Sequence, residues 1–229
     1  MDNHHKLSIR LLPGGFCFSN VTSDNDEEKF VNITPGADYE KRLEDAILDL
    51  EINVGEDDID CFVETSRMSL SPTDCDETMA EEMFHLTLRS IDSEEKILHE
   101  TSADGDIRVS FGIDSTLFNF LIRTYQYINF HHPIIKMIDD EKLRIHVSEN
   151  WMTVRPDRDT LFMLAYKNNK LQLANCVETM VTQNRAYHIL NSWTQLDLDV
   201  LNDTLYIIGD NSEKTKIKNA VSKFIKLCE

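Results

Sequence analysis

Two segments of this chain carry nearly the same apolar pattern, and that echo limits the folds open to it. LSIRLLPGGFCFSNV runs from Leu7 to Val21, and LFMLAYKNNKLQLANCV runs from Leu161 to Val177. Each reads as two short strands around a turn, Pro13-Gly14-Gly15 in the first and Lys167-Asn168-Asn169 in the second. Leu7 aligns over Leu161 and, after one inserted residue, Asn20 aligns over Asn175. Each copy then passes to a helix, a strand and a second helix, the order of an α/β unit with a mixed sheet. With only 7 Gly and 5 Pro in 229 residues, no flexible linker separates the copies, so the expected division is between packed lobes.

The intervening pattern fills in the units. Phe30 to Ile33 reads as a third strand before Pro35-Gly36. In YEKRLEDAILDLEI, Leu43, Ala46, Ile47 and Leu50 recur at helical spacing with acids on the other face. Asp60 to Thr65 is a β-rich run, and CDETMAEEMFHLTLRS forms a helix with Ala80, Met83, Phe84 and Thr87 or Leu88 inward. Lys96 to Glu100 pairs with Ile107 to Ile113, after which Asp114 caps a helix with a stripe of Leu117, Phe118, Leu121, Ile122 and Tyr125. HHPIIKMID reads as a strand, and from Lys142 a new run of strands begins with RIHVSENWMTVR. RAYHILNSWTQL places Ala186, Ile189, Leu190 and Trp193 on one face, TLYIIG is a buried strand, and SEKTKIKNAVSKFIKL aligns Ile217, Ala220, Val221 and Phe224 behind a Ser212 cap. Leu43, Ile47, Leu190, Trp193, Val221 and Phe224 are expected in the core.

Charge excludes several partner classes. Lys and Arg number 23 against 41 Asp and Glu, and the resulting −18 opposes contact with nucleic acid or an anionic membrane face. The acidic runs SDNDEE, GEDDID and IDSEE are short, solvated loops and lack the alternating carboxylates, central Gly and closing Glu of a calcium loop. Cys17, Cys61, Cys75, Cys176 and Cys228 are odd in number and widely spaced, which fits a reducing compartment. The opening MDNHHKLSIRLL lacks a signal-peptide pattern, so a cytoplasmic, soluble protein is expected.

Tandem units of this order resemble the actin-like ATPase fold, the duplicated ribonuclease H-like lobes shared by actin, sugar kinases and heat-shock chaperone ATPases. More narrowly, LSIRLLPGGFCFSNV together with NRAYHILNSWTQLDLDVLNDTLYIIGD resembles an uncharacterised Bacteroidetes family of unknown function with that fold. The resemblance implies a first lobe over residues 1–140 and a second over 141–229, with the last helix packing back on the first lobe as an alternative. Each lobe would hold a mixed sheet flanked by helices.

Active members of the fold bind phosphate and metal through an Asp at the end of the first strand and a Gly followed by a small hydroxyl residue. The first turn, Leu11-Leu12-Pro13-Gly14-Gly15-Phe16, lacks both the acid and the hydroxyl, and Pro13 removes one N–H. Pro then Gly instead fits a type II turn. The second phosphate turn matches Ala165-Tyr166-Lys167-Asn168-Asn169-Lys170, which has neither Asp nor Gly. The adenosine-admitting glycine pair is reduced to Gly209 in Ile207-Ile208-Gly209-Asp210-Asn211. The positional equivalents of the nucleotide loops are therefore Gly14, Gly15, Asn168, Asn169, Gly209 and Asp210, with no catalytic residue, metal site or cofactor assigned.

Other chemistry is equally sparse. His131 and His132 are adjacent on a strand and point to opposite faces, and His85 and His188 have no second histidine or cysteine three or four residues away. HExxH, CxxC and nucleophile-elbow signatures do not occur. Two functions follow as expectations. One is a non-catalytic actin-like scaffold that binds a protein partner. The other is a divergent ATPase or kinase-like enzyme using the cleft between lobes, or a hydrolase using scattered acids such as Asp106, Asp114 or Asp210.

Overall fold

The computed structural model describes residues 8–19, 29–32, 39–49, 59–89, 94–146 and 148–229. The chain divides into two compact units, Met1–Ile135 and Lys136–Glu229. Leu7, Asn20, Val21, Ile33, Pro35, Gly36 and Leu50, which entered the sequence reading, lie outside the described residues.

In the first unit, β1 (Ser8–Leu12) turns into β2 (Gly15–Ser19), and β3 (Lys29–Asn32) adds to its far side. Helix α1 (Tyr39–Asp49) buries Leu43, Ala46 and Ile47. Strand β4 (Ile59–Val63) then returns parallel to β1, and β8 (Ile128–His131) lies parallel to β4, giving the order β3-β2-β1-β4-β8. Between β4 and β8 the chain makes a separate antiparallel sheet, β5 (Met68–Pro72), β7 (Ile107–Asp114) and β6 (Glu95–Thr101), together with α2 (Glu77–Thr87). Helix α3 (Ser115–Thr124) follows β7, and the Asp114 carboxylate accepts from Thr116 N and Leu117 N as its cap. Its buried stripe is Leu117, Phe120 and Leu121, closed by Tyr125, while Ile122 is exposed.

HHPIIKMID does not continue as a strand. The chain leaves β8 at His131 and enters α4 (Pro133–Leu143), whose first residue is a proline. Proline suits that position because a helix's first N–H has no intrahelical partner and φ is already helical. Ile134, Ile135, Met137 and Ile138 are buried, a run that periodicity over a few residues does not distinguish from a strand.

The second unit repeats the first without its inserted sheet. Strands β9 (Trp151–Pro156), β10 (Thr160–Lys167) and β11 (Lys170–Glu178) form an antiparallel meander, α5 (Thr182–Gln195) follows, and β12 (Thr204–Ile207) runs parallel to β9. Helix α6 (Asn211–Val221) and the short β13 (Leu227–Cys228) complete the order β11-β10-β9-β12-β13. Met152, Val154, Met163, Ile189, Trp193 and Ile217 belong to its core. Phe224 does not: α6 ends at Val221, the helical period lapses, and Ile225 is buried while Phe224 stands 57% exposed. Leu190 is only partly buried against this core.

Matching the two sheet orders sets β1, β2, β3, β4 and β8 against β9, β10, β11, β12 and β13. The hairpin of β1 and β2 thus corresponds to β9 and β10, not to the β10–β11 hairpin that carries the sequence echo. An apolar alternation marks any buried strand, whereas equivalence is decided by which strand accepts the later parallel partner.

Candidate functional site

The turn that corresponds to a first phosphate loop joins β1 to β2 through Pro13 and Gly14, with Leu12 paired to Gly15. Positive φ falls at Gly15 (156°) and not at Gly14, so the expected type II turn, which needs it at the second central residue, does not form. A Cβ on Gly15 would overlap the Val31 carbonyl oxygen and lie 3.0 Å from Phe30 Cζ. Close approach of β3 is therefore a sufficient reason for this glycine. The Tyr39 hydroxyl, at the first residue of α1, donates to Gly15 O at 2.7 Å and reaches Leu12 O at 3.5 Å. Burial pushes the Tyr39 phenol well up, with Cys61 and Cys17 adding to the rise, so it remains protonated and a donor. At the end of β4, Glu64 is fully buried and its Oε1 accepts from Arg10 Nε and Nη2 on β1, at 2.8 and 2.6 Å.

By topology the second turn is the one between β9 and β10, Asp157-Arg158-Asp159. Asn168 and Asn169, offered from the sequence as its equivalent, instead join β10 to β11 with φ of 52° and 58°, as a type I′ hairpin turn requires. The β9–β10 turn is held from beneath by Arg185 of α5, whose side chain is 1% exposed. Its Nη2 donates to Asp157 O and to Arg158 O (2.9 Å), its Nε to Thr179 O (2.9 Å), and its Nη1 to Glu213 Oε2 on α6 (2.7 Å). Asp157 accepts from Arg158 N at 2.8 Å and lies 3.9 Å from Arg155 Nε.

The units thus share one device. The helix after the third strand, α1 in one and α5 in the other, sends a donor to the carbonyls of the first turn. A phosphate loop presents N–H groups to its ligand. Here the turn carbonyls take donors that the fold supplies, and in the second turn Asp157 N donates to Thr160 O at 2.9 Å and Arg158 N to the Asp157 carboxylate, so those N–H groups are spent within the turn.

Gly209 follows β12 with φ of 109°, which accounts for glycine there, since a Cβ would meet nothing nearer than 3.5 Å. The cap of α6 is Asp210, which accepts from Ser212 N (2.8 Å) and Glu213 N (3.3 Å), and the expected Ser212 cap is not used. A carboxylate occupies the helix end where an anion would otherwise be favoured. Lys167 is likewise engaged, donating to Leu196 O at 2.8 Å beyond the end of α5.

The remaining candidates are scattered. Asp106 is exposed in the β6–β7 turn, and Asp114 sits at the far end of β7 as a cap. His131 Nδ1 lies 2.7 Å from Glu100 Oε1 and its Nε2 3.3 Å from Asp60 Oδ1, and the other Glu100 oxygen accepts from His132 N at 2.7 Å. The hydrogen bond to Glu100 is the main cause that raises the His131 pKa, burial opposing it and Asp60 adding to it. His132 is buried with Nε2 3.0 Å from Thr65 O. His188 is half-buried, whereas His85 is exposed on α2. All five cysteines are free, and among the described residues no group of three or more His, Cys, Asp and Glu could hold a metal ion. No helix among them is long and apolar enough to cross a membrane.

Arg185, Tyr39 and Glu64 were not singled out from sequence. Arg185 left one usable signal: it sits four residues before Ile189 and eight before Trp193, on the buried stripe of α5 where a guanidinium needs internal partners.

The family described as "Protein of unknown function (DUF3822)" matches residues 2–228. Among solved structures, the chain is similar to a protein of actin-like ATPase fold and unknown function from Bacteroides thetaiotaomicron VPI-5482. The identity is 23%, 97% of this chain and 89% of that chain are covered, and the TM-score is 0.80. It is also similar to the PilM-PilN type IV pilus biogenesis complex, at 8% identity over 97% of this chain and 86% of that chain, with a TM-score of 0.60. A third likeness is to the cytoplasmic domain of EpsL, an inner membrane component of the type II secretion system of Vibrio cholerae, at 11% identity over 88% and 80%, with a TM-score of 0.48. No curated protein matches the chain significantly. The first likeness identifies the architecture as the actin-like ATPase fold, with two ribonuclease H-like units.

Proposed function

The chain belongs to the DUF3822 family, and on that premise we propose that it is a non-catalytic protein-interaction module built on the actin-like ATPase fold. The observation that carries this reading is that the N–H groups a phosphate would need are missing or already used: Pro13 has none, Asp157 N donates to Thr160 O, Arg158 N to the Asp157 carboxylate, and Ser212 N and Glu213 N to Asp210. Pro13 removes a phosphate donor, and Asp210 places a carboxylate at the α6 end. The likeness to a pilus biogenesis complex, itself a protein assembly, lends support to a protein partner. Partner binding by unfilled surface fits a fold whose function is set by its sites and not by its topology.

A second reading, a divergent nucleotide-binding enzyme, draws on Asp157 and Asp159, acids that stand in the second turn where the active fold carries one. Calorimetric titration of the whole chain with magnesium-ATP separates the two. The interaction-module reading predicts no saturable heat. A micromolar affinity, about 8 kcal/mol of binding free energy, would overturn it in favour of the enzyme.

A further inference from the structure

Helix α4 carries the chain across the boundary between the units, which falls between Ile135 and Lys136, and a histidine stands just outside each of its ends. His131 precedes Pro133 by two residues, and His146 follows Leu143 by three. Their surroundings are opposite in the respect that decides a proton. A protonated imidazole has two N–H donors, whereas a neutral one has one donor and one acceptor.

In the first unit His131 faces a carboxylate at each nitrogen, Glu100 of β6 at Nδ1 (2.7 Å) and Asp60 of β4 at Nε2 (3.3 Å), with the Phe62 ring of β4 beside it. Only the imidazolium donates to both, and a neutral ring turns a lone pair toward one of them. The other Glu100 oxygen accepts from His132 N at 2.7 Å. His132 in turn holds the first amides of α4, its Nδ1 3.3 Å from Ile134 N and its carbonyl accepting from Ile135 N at 3.0 Å. The proton on His131 is thus tied, through Glu100, to the start of the helix.

In the second unit the His146 side chain is 6% exposed. It stacks on Trp151 of β9 at 3.8 Å and meets Tyr206 of β12 edge-on at 5.2 Å, with Tyr166 of β10 stacked behind Trp151. Glu141, in the last turn of α4, accepts from Trp151 Nε1 at 3.1 Å, and the same oxygen lies 3.2 Å from His146 Nε2. Among the described residues, neither nitrogen of His146 finds a hydrogen bond of good geometry. The charge of Glu141 is already met by Arg144 Nε at 3.4 Å, and that guanidinium also lies over the Tyr206 ring. A proton on His146 therefore brings a second cation to one carboxylate and a buried donor at Nδ1 that lacks an acceptor.

We propose that α4 is a pH-responsive connector clasped by two oppositely set histidines, acid loosening its C-terminal end from the sheet of the second unit and alkali loosening its N-terminal end. The inference is independent of whether the chain binds nucleotide. For His131, Glu100 is the main cause of a raised pKa, so its contribution is complete below about 6.5 and is lost as pH rises through the folded pKa. For His146, burial is the main cause of a lowered pKa, with Glu141 opposing and Arg144 adding to it. Its contribution is complete above about 6.5 and is lost as pH falls through the folded pKa. Both ends of α4 are held together only around the pH that lies between the two.

An NMR titration of the full chain between about pH 5 and pH 8 tests the proposal, following the two imidazoles together with the amides of α4. The amides of Asp140, Glu141, Lys142 and Leu143 and the Trp151 indole N–H should move with the His146 midpoint, below about 6.5. Those of His132, Ile134 and Ile135 should move with the His131 midpoint, above about 6.5. Hydrogen-exchange protection, corrected for the intrinsic pH dependence, should fall by up to ~10-fold per pH unit at the last turn on the acid side and at the first turn on the alkaline side. His146→Gln should abolish the acid step and leave the alkaline one, whereas Glu100→Gln should draw the alkaline step back toward about 6.5 and leave the acid one. The wild-type titration decides the matter even where a variant fails to fold. A His146 midpoint at or above about 6.5, one midpoint shared by both ends of α4, histidines that titrate while the α4 amides stay flat, or an acid step that survives in His146→Gln would overturn the proposal.

Discussion

Replacing Gly15 by Ala should destabilise the protein far more than replacing Gly14. At Gly15 the φ of 156° lies in a region that residues with a Cβ adopt at a cost of about 1–3 kcal/mol. The added methyl would also overlap Val31 O and crowd Phe30 Cζ at 3.0 Å and Asn32 Cα at 3.2 Å. Val31 O and Asn32 Cα are backbone atoms of β3, which is paired to β2 at Gly15, so relief of the closest overlap requires moving backbone and not only the Phe30 ring. Overpacking of that kind adds ~1–3 kcal/mol, for a sum of roughly 2–6 kcal/mol. At ~2–4 °C per kcal/mol, the Tm should fall by ~5–20 °C. Gly14 has no positive φ and is only partly buried, so Gly14→Ala should change stability by less than ~1 kcal/mol. Urea unfolding of the two variants measures both effects. Equal loss in the two, or a Gly15→Ala variant as stable as wild type, would refute the claim that this glycine is set by the approach of β3.

Arg185→Met should cost ~3–5 kcal/mol in denaturant unfolding, because it removes a buried guanidinium from Glu213, which keeps Lys216, and from the carbonyls of Asp157, Arg158 and Thr179, and Arg185→Lys should recover only part of that. Trp193→Ala should cost ~3–5 kcal/mol, as its side chain is 2% exposed, whereas Phe224→Ser should lie within ~0.5 kcal/mol of wild type. The raised His131 pKa has a definite sign: its stabilising contribution is complete below the unfolded value of about 6.5 and is lost as pH rises through the folded pKa. An NMR titration of His131 should show that elevation, and Glu100→Gln should remove most of it. A His131 midpoint below 6.5 in the wild type would contradict the Glu100 pairing.

Local periodicity carried most of the architecture. Leu43, Ala46 and Ile47 are buried on α1 as their spacing requires, and Ile217 and Val221 are buried on α6. The errors arose where non-local geometry decides. Pro133 opens a helix because β8 ends two residues before it, a boundary invisible in an apolar run. Phe224 continued the helical spacing of a helix that had already stopped. The β10–β11 hairpin imitated β1–β2 in side-chain pattern, yet β9 is the strand that takes the parallel partner β12, and only the pairing reveals it. Strand β5, with serines at three positions around its turn-flanked run, was not anticipated because its neighbours lie far along the chain in β7. Of the candidate site, the glycine and proline content of the first turn was legible, whereas Tyr39 and Arg185 act on turns 24 or more residues away, a distance that no local pattern spans.

The central claim is that the first turns of both units are structural and hold no nucleotide. The most direct measurement is a titration of the ¹⁵N-labelled chain with magnesium-ATP, following the backbone amides of Gly14, Gly15, Arg158, Asp159 and Gly209. Turns in which Pro13 offers no N–H, Asp157 N and Arg158 N already donate within the turn, and Asp210 caps the helix after Gly209 predict amide shifts that stay flat as nucleotide is raised. Saturable shifts at Gly14, Gly15 and Gly209, converging on one dissociation constant, would contradict the account and make these turns a divergent nucleotide site.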